Sequence, residues 1–82
     1  MRNARTIRYV VQVILGSRAG MFIENCLPTP QGPKFFFTAD KSKAWHSISE
    51  TLDEMFEPET LDSTPEWAGR SLRDALRVVP VD

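Results

Sequence analysis

One cysteine, Cys26, and one histidine, His46, are all this chain holds of the two residue types richest in site chemistry. No internal disulfide can form, and one chain cannot assemble a zinc site from so few ligands. Small secreted domains usually carry several bridges, so the reducing cytoplasm is the expected compartment. A cysteine nucleophile needs a histidine base within hydrogen-bond reach. The expectation is instead a partly buried thiol and a surface imidazole, with no enzymatic activity, no metal and no cofactor. A phosphate-binding loop is also missing, because GSRAG at residues 16 to 20 lacks the P-loop spacing and lysine. Long hydrophobic runs are absent too: YVVQVIL is far too short to span a bilayer. With Arg2, Arg5 and Arg8 before it and Ser17 and Ala19 after it, this run has the outline of a signal peptide. Gln12 interrupts it and the odd cysteine argues against export, so the outline is set aside.

What is present is an 82-residue chain with 41% hydrophobic residues, the profile of one soluble globular domain over residues 1–82. Its net charge is only −1, yet the signs are segregated. Residues 1 to 43 carry seven basic groups against Glu24 and Asp40, and residues 44 to 82 carry three arginines against nine carboxylates. Such asymmetry points to charged partners or to mutual attraction of the two halves.

From Thr6 to Leu15 apolar residues alternate, with Ile7, Tyr9, Val11, Val13 and Leu15 on the predicted core side. GSRAG is a turn, and MFIENCL the returning strand. PTPQGP reads as loop and KFFFTA as a third strand, with Phe35 and Phe37 facing the core and Phe36 pointing the other way. Asp40 can cap a following helix. Ala44, Ile48, Leu52, Met55 and Phe56 recur at helical spacing, with Trp45 at the edge of the stripe, which predicts an amphipathic helix over residues 41 to 57. Ser47 and Glu50 form a second capping box that can mark a break inside it, and Pro58 ends it. A second helix is predicted after Ser63 or Thr64, starting at Pro65 and lined by Ala68, Leu72, Ala75, Leu76 and Val79. The tail VVPV is extended, as an edge strand or a loose end. The fold expected is α+β: an antiparallel sheet of three strands, with the tail as candidate fourth, packed on two helices.

The order YVVQV, GMFIEN, FFFTADKSKAW and then a serine-capped acidic helix resembles a widespread type of short protein of unassigned function encoded by phages and prophages. Those chains share a Tyr-Val strand, a Gly-aromatic-Ile strand and a Phe-Thr-x-Asp-x-x-Lys-Ala turn into a helix. The resemblance covers roughly residues 7 to 56, and Ser47-Ile48 stands where the family usually has an aromatic. It implies a mobile-element origin and a compact α+β fold, and no chemistry. Small phage proteins often bind and block a host machine, and anti-CRISPR inhibitors are an analogous group by size and style alone.

Two surfaces follow from these readings. On the predicted helix, Glu50, Asp53, Glu54 and Glu57 face away from the apolar stripe. Such a row can imitate phosphates and occupy the basic groove of a host nucleic-acid-binding protein or complex, or it is simply the polar face that any amphipathic helix exposes. The second surface joins Phe36 to Lys34, Arg8 and Gln12, an aromatic and basic sheet face of the kind that stacks single-stranded nucleic acid. Alternatively Phe36 is covered by helix two, by the C-terminal segment or by a second copy in a homodimer, since a wet aromatic forgoes roughly 1.5 to 3 kcal/mol. On the second helix Arg70, Arg73 and Arg77 form a stripe for phosphate or an acidic partner, or a solvated face with local ion pairs. Trp67 is either packing over the helix start or an exposed interface anchor.

Overall fold

The computed structural model describes residues 7–30, 32–62 and 70–81, with only the backbone described at Gly32 and Pro33. It is an α+β domain. Strands β1 (Tyr9–Val13), β2 (Phe22–Thr29), β3 (Gly32–Thr38) and β4 (Leu76–Pro80) form one antiparallel sheet in the order β3-β2-β1-β4. The tail is therefore the fourth strand, at an edge, with its proline at the end where it faces Tyr9. A central strand is dry on both faces, and β1 is one: Val10 on one side and Val11 and Val13 on the other are all fully buried. The β1–β2 connection turns through Gly16 and Gly20, both at positive φ (82° and 98°), which glycine adopts without strain.

Three short helices, α1 (Leu52–Met55), α2 (Pro58–Leu61) and α3 (Leu72–Ala75), serve the sheet face that carries Phe35. The core joins Val11, Val13, Ile23, Phe35, Leu61, Leu72, Ala75 and Leu76, with Leu52, Met55, Phe56, Phe37 and Cys26 packed against it.

The single helix expected over residues 41 to 57 does not form. Asp40 does cap, but what it caps is one 3₁₀ turn, Lys41–Lys43, where its carboxylate accepts from the Ser42 amide at 3.0 Å and hydroxyl at 2.7 Å. Ala44 is already extended. The side chains of Asp40, Ser47 and Thr51 accept from backbone amides two or three residues on and so compete with a continuous helix; Ser47 Oγ, for example, accepts from the Ser49 amide at 2.9 Å. Tertiary hydrogen bonds supply the rest of the reason. Strands β1 and β2 pair at Gln12 and Phe22 and then splay at a bulge between Ile23 and Asn25. Residues 45 to 47 enter the gap: the Trp45 amide donates to the Ile23 carbonyl at 2.9 Å, and Tyr9 and Ser47 exchange two bonds of 2.7 and 2.8 Å. Ile48, placed in the predicted apolar stripe, is accordingly 68% exposed.

Three further boundaries differ. The capping box lies at Thr51 and Glu54, not at Ser47 and Glu50: Thr51 Oγ1 accepts from the Glu54 amide at 3.3 Å, and Glu54 reaches back to the Glu50 amide at 3.2 Å. Pro58 starts α2 instead of ending a helix, since its missing N–H costs nothing at a first position. The strands run into PTPQGP, pairing Pro28 with Pro33 and Thr29 with Gly32, which is possible because a non-hydrogen-bonded pair asks for no N–H. The start of the predicted second helix, with Ser63, Thr64, Pro65 and Ala68, lies outside the described residues. Its end is a strand, because Leu76 to Val79 meet the free edge of β1 and complete that strand's hydrogen bonds.

Candidate functional site

The three phenylalanines divide as alternation requires. Phe35 is 4% exposed and Phe36 is 39% exposed. Phe35 and Phe37 share the core face with ring centroids 6.4 Å apart. From Phe35 an aromatic chain runs outward: Phe56 stands edge-on at 6.2 Å, and Trp45, itself 39% exposed, lies 6.0 Å from Phe56 with ring planes inclined at 57°. The Arg18 guanidinium sits 4.7 Å over Phe37 at the other end of the chain.

Where this chain reaches the surface it borders a cleft of about 290 Å³, lined by Asn25, Cys26, Trp45, Met55 and Phe56. The fork in the sheet creates it. The bulge turns β2 away from β1, the inserted segment brings Trp45 against Ile23, and α1 delivers Met55 and Phe56 from below. Asn25 Oδ1 accepts from the Cys26 amide at 2.8 Å. Burial pushes the Cys26 thiol above its ordinary pKa, so it stands as a neutral thiol rather than an activated thiolate. His46 is half-buried, and its Nε2 is shielded from water with no hydrogen-bond partner among the described residues.

The expected acidic row is dispersed over the 50–57 stretch, with each residue exposed and most of them engaged. Glu50 accepts from the Tyr9 hydroxyl at 3.2 Å, an arrangement that holds the phenol above its ordinary pKa through burial first and the carboxylate second. Asp53 pairs with Arg73 at 2.6 Å, and Glu54 belongs to the capping box. Glu57 forms no side-chain bond at the start of α2. Arg73 also reaches Asp62 at 3.2 Å, and the two carboxylates raise its pKa further. Arg70 lies 3.7 Å from Asp74. The three arginines do not form one stripe, because Arg77 belongs to β4. The pairs of Arg73 with Asp53 and Asp62 and of Arg70 with Asp74 lie within the acidic half of the chain.

On the opposite sheet face, Lys34 Nζ lies 5.5 Å over the Phe36 ring. Arg8 and Gln12 do not join them. Gln12 lies in line with Phe22 and Thr38, and β2 and the inserted segment stand between Arg8 and Lys34, on the order of 14 Å at about 4.8 Å per strand. Trp67 lies outside the described residues. Among those described, no group of three His, Cys, Asp or Glu side chains could hold a metal ion, and no helix is long and apolar enough to cross a membrane.

Sequence reasoning placed Trp45, Met55 and Phe56 on one helical stripe and missed the cleft between them and β2. The available signal was the T-x-x-E capping box at Thr51, which restarts the helix after an extended segment. Comparison with protein-family models, with curated proteins and with solved structures finds no match to this chain.

Proposed function

We propose that this is a non-enzymatic binding protein of phage or other mobile-element origin that works by covering a surface of a host protein, in the manner of an inhibitor of a defence system. The observation that carries the reading is the cleft at the fork: a concave, aromatic-walled site beside a half-exposed Trp45, with strand β2 on one side and the end of α1 on the other. Its volume of about 290 Å³ has room for an anchoring side chain of a partner. The acidic residues Glu50, Asp53, Glu54 and Glu57 are exposed on the same 50–57 stretch that carries Met55 and Phe56, and exposed charge of this kind sets on-rate and orientation more than affinity.

A second reading rests on the cation over Phe36. Lys34 and Phe36 together offer one stacking platform and one phosphate contact for a single strand of nucleic acid. Without Arg8 beside it this surface is small, and the host-protein reading is preferred. Capture from host lysate with and without nuclease tests both. A protein partner that survives nuclease is the expected result, and capture of nucleic acid alone overturns the preferred reading.

A further inference from the structure

We propose that the partner protein adds an extended segment to β2 at the fork, as an extra strand beside Cys26, and sends an apolar side chain from it into the cleft; this rests on the reading of the chain as a protein-binding module. The cleft lies against a strand edge. Asn25 pairs with Phe36 and Cys26 with Phe35, so the two point to opposite faces of the sheet. Both line the cleft, as they can only where it meets the edge between those faces. β1 pairs with β2 at Gln12 and Phe22, ahead of the bulge, and beyond that point the Trp45 amide takes the Ile23 carbonyl at 2.9 Å. This side of β2 thus already accepts one extended segment.

The sheet register fixes what the edge offers. Pro28 and Pro33 have no N–H, so theirs is a non-bonded pair, and Cys26 with Phe35, two residues along, is another. The backbone groups of Cys26 and Pro28 therefore point away from β3. In agreement, the Cys26 amide donates to Asn25 Oδ1 at 2.8 Å and not into the ladder. The Cys26 and Pro28 carbonyls have no hydrogen-bond partner among the described residues. This stretch of edge is all acceptor. Two copies of it would set carbonyl against carbonyl, so it cannot pair with itself. The outer edge of β4 gives a second copy little more. Val81 and Ile14 bond across β1 and β4, which leaves Leu76, Val78 and Pro80 facing outward; the Leu76 amide is held by the Leu72 carbonyl and Pro80 has none, so Val78 alone donates. A strand of a different protein supplies the missing donors. Added antiparallel, its residue opposite Cys26 gives an N–H to the Cys26 carbonyl and places its side chain on the face of the Cys26 thiol. Met55 and Phe56 pack on the core with Cys26 and line the cleft there, so an apolar side chain matches them.

The test is an amide NMR titration of the full chain with the blocked peptide acetyl-Thr-Leu-Thr-Leu-Thr-amide. Two further versions are N-methylated, one at its leucines and one at its threonines, and N-acetyl-leucine methylamide serves as the lone side chain. The expected result is saturable shifts at the amides of Cys26 and Leu27 and at the Trp45 indole N–H, with the parent peptide and the threonine-methylated version alike. Methylation at the leucines removes the donors that face Cys26 and should weaken binding roughly tenfold or more, because the carbonyl is then covered without a partner. A leucine-methylated peptide that binds like the parent overturns the proposal, as does a parent titration without saturable shifts. N-acetyl-leucine methylamide binding as tightly as the peptide also overturns it, and makes the cleft a pocket for a lone side chain. A free chain that sediments as a dimer and is split by the peptide overturns it in favour of a second copy. Should the peptides fail while a captured host protein is still lost on Trp45→Ser, strand addition falls and the host-protein reading stands.

Discussion

Two aromatic surfaces lie on opposite faces of strand β3, and the contrast between them begins with a single peptide bond. Phe35 points into the core and passes its contacts through Phe56 to Trp45, ending in a concave cleft. Phe36 points the other way onto an open sheet face and meets one lysine. Both carry aromatic rings beside charge, but only the first has walls. A partner side chain entering the cleft loses water on several sides at once, whereas one resting on Phe36 loses it on one. Shape, more than composition, distinguishes a site from an exposed residue here.

The largest effect should come from breaking the inner half of this pair. Phe35→Ala removes a buried ring that holds β3, α1 and the cleft together, and should cost about 3 to 5 kcal/mol. In a domain this small that is a large share of the total stability. Phe36→Ala should cost less, as the ring is already 39% exposed against 4% for Phe35. Urea denaturation of the two variants compares them directly, and equal losses would mean that the two faces are not as different as their exposure indicates.

An intermediate effect is expected at the segment that carries the cleft's lower wall. Thr51→Ala removes the cap of α1 and should destabilise by about 1 kcal/mol. Because α1 positions Met55 and Phe56, thermal melts should register the loss while the Phe36 face keeps its amide chemical shifts.

The sheet and the aromatic alternation were legible in the sequence because strand periodicity is local. Val11, Val13, Phe35 and Phe36 each fall where a period of two places them. The helix over residues 41 to 57 was misread because Ala44, Leu52, Met55 and Phe56 do share the core side, but they reach it through a 3₁₀ turn, an inserted strand-like segment and one short helix. Spacing alone cannot reveal that β1 and β2 diverge, and the hydrogen bonds left open at Tyr9 and Ile23 are what hold residues 45 to 47 extended. The cleft exists only because of that divergence, so no local pattern announced it. The acidic residues were recognised as exposed, while their engagement by Tyr9, Thr51 and Arg73 depends on contacts distant in the chain or on the displaced cap.

The smallest effect concerns Cys26 on the cleft wall. Burial raises its folded-state pKa above the unfolded value, so folding favours the neutral thiol. That contribution is complete below the unfolded-state pKa and is lost as pH rises through the folded one. Stability of the wild type should therefore decline gently through the alkaline range, and Cys26→Ser should flatten that decline. An unchanged slope in the variant would show that the thiol is not held in a dry environment.

The most direct test of the cleft as the binding surface is capture of host protein, after nuclease treatment, by wild type and by two variants whose folding has been checked by circular dichroism. Trp45→Ser opens the cleft and Phe36→Ser strips the opposite face, and both residues begin equally exposed, at 39%. Loss of the partner with Trp45→Ser and its retention with Phe36→Ser is the predicted result. Retention with Trp45→Ser and loss with Phe36→Ser would contradict the account and move the binding surface to the sheet.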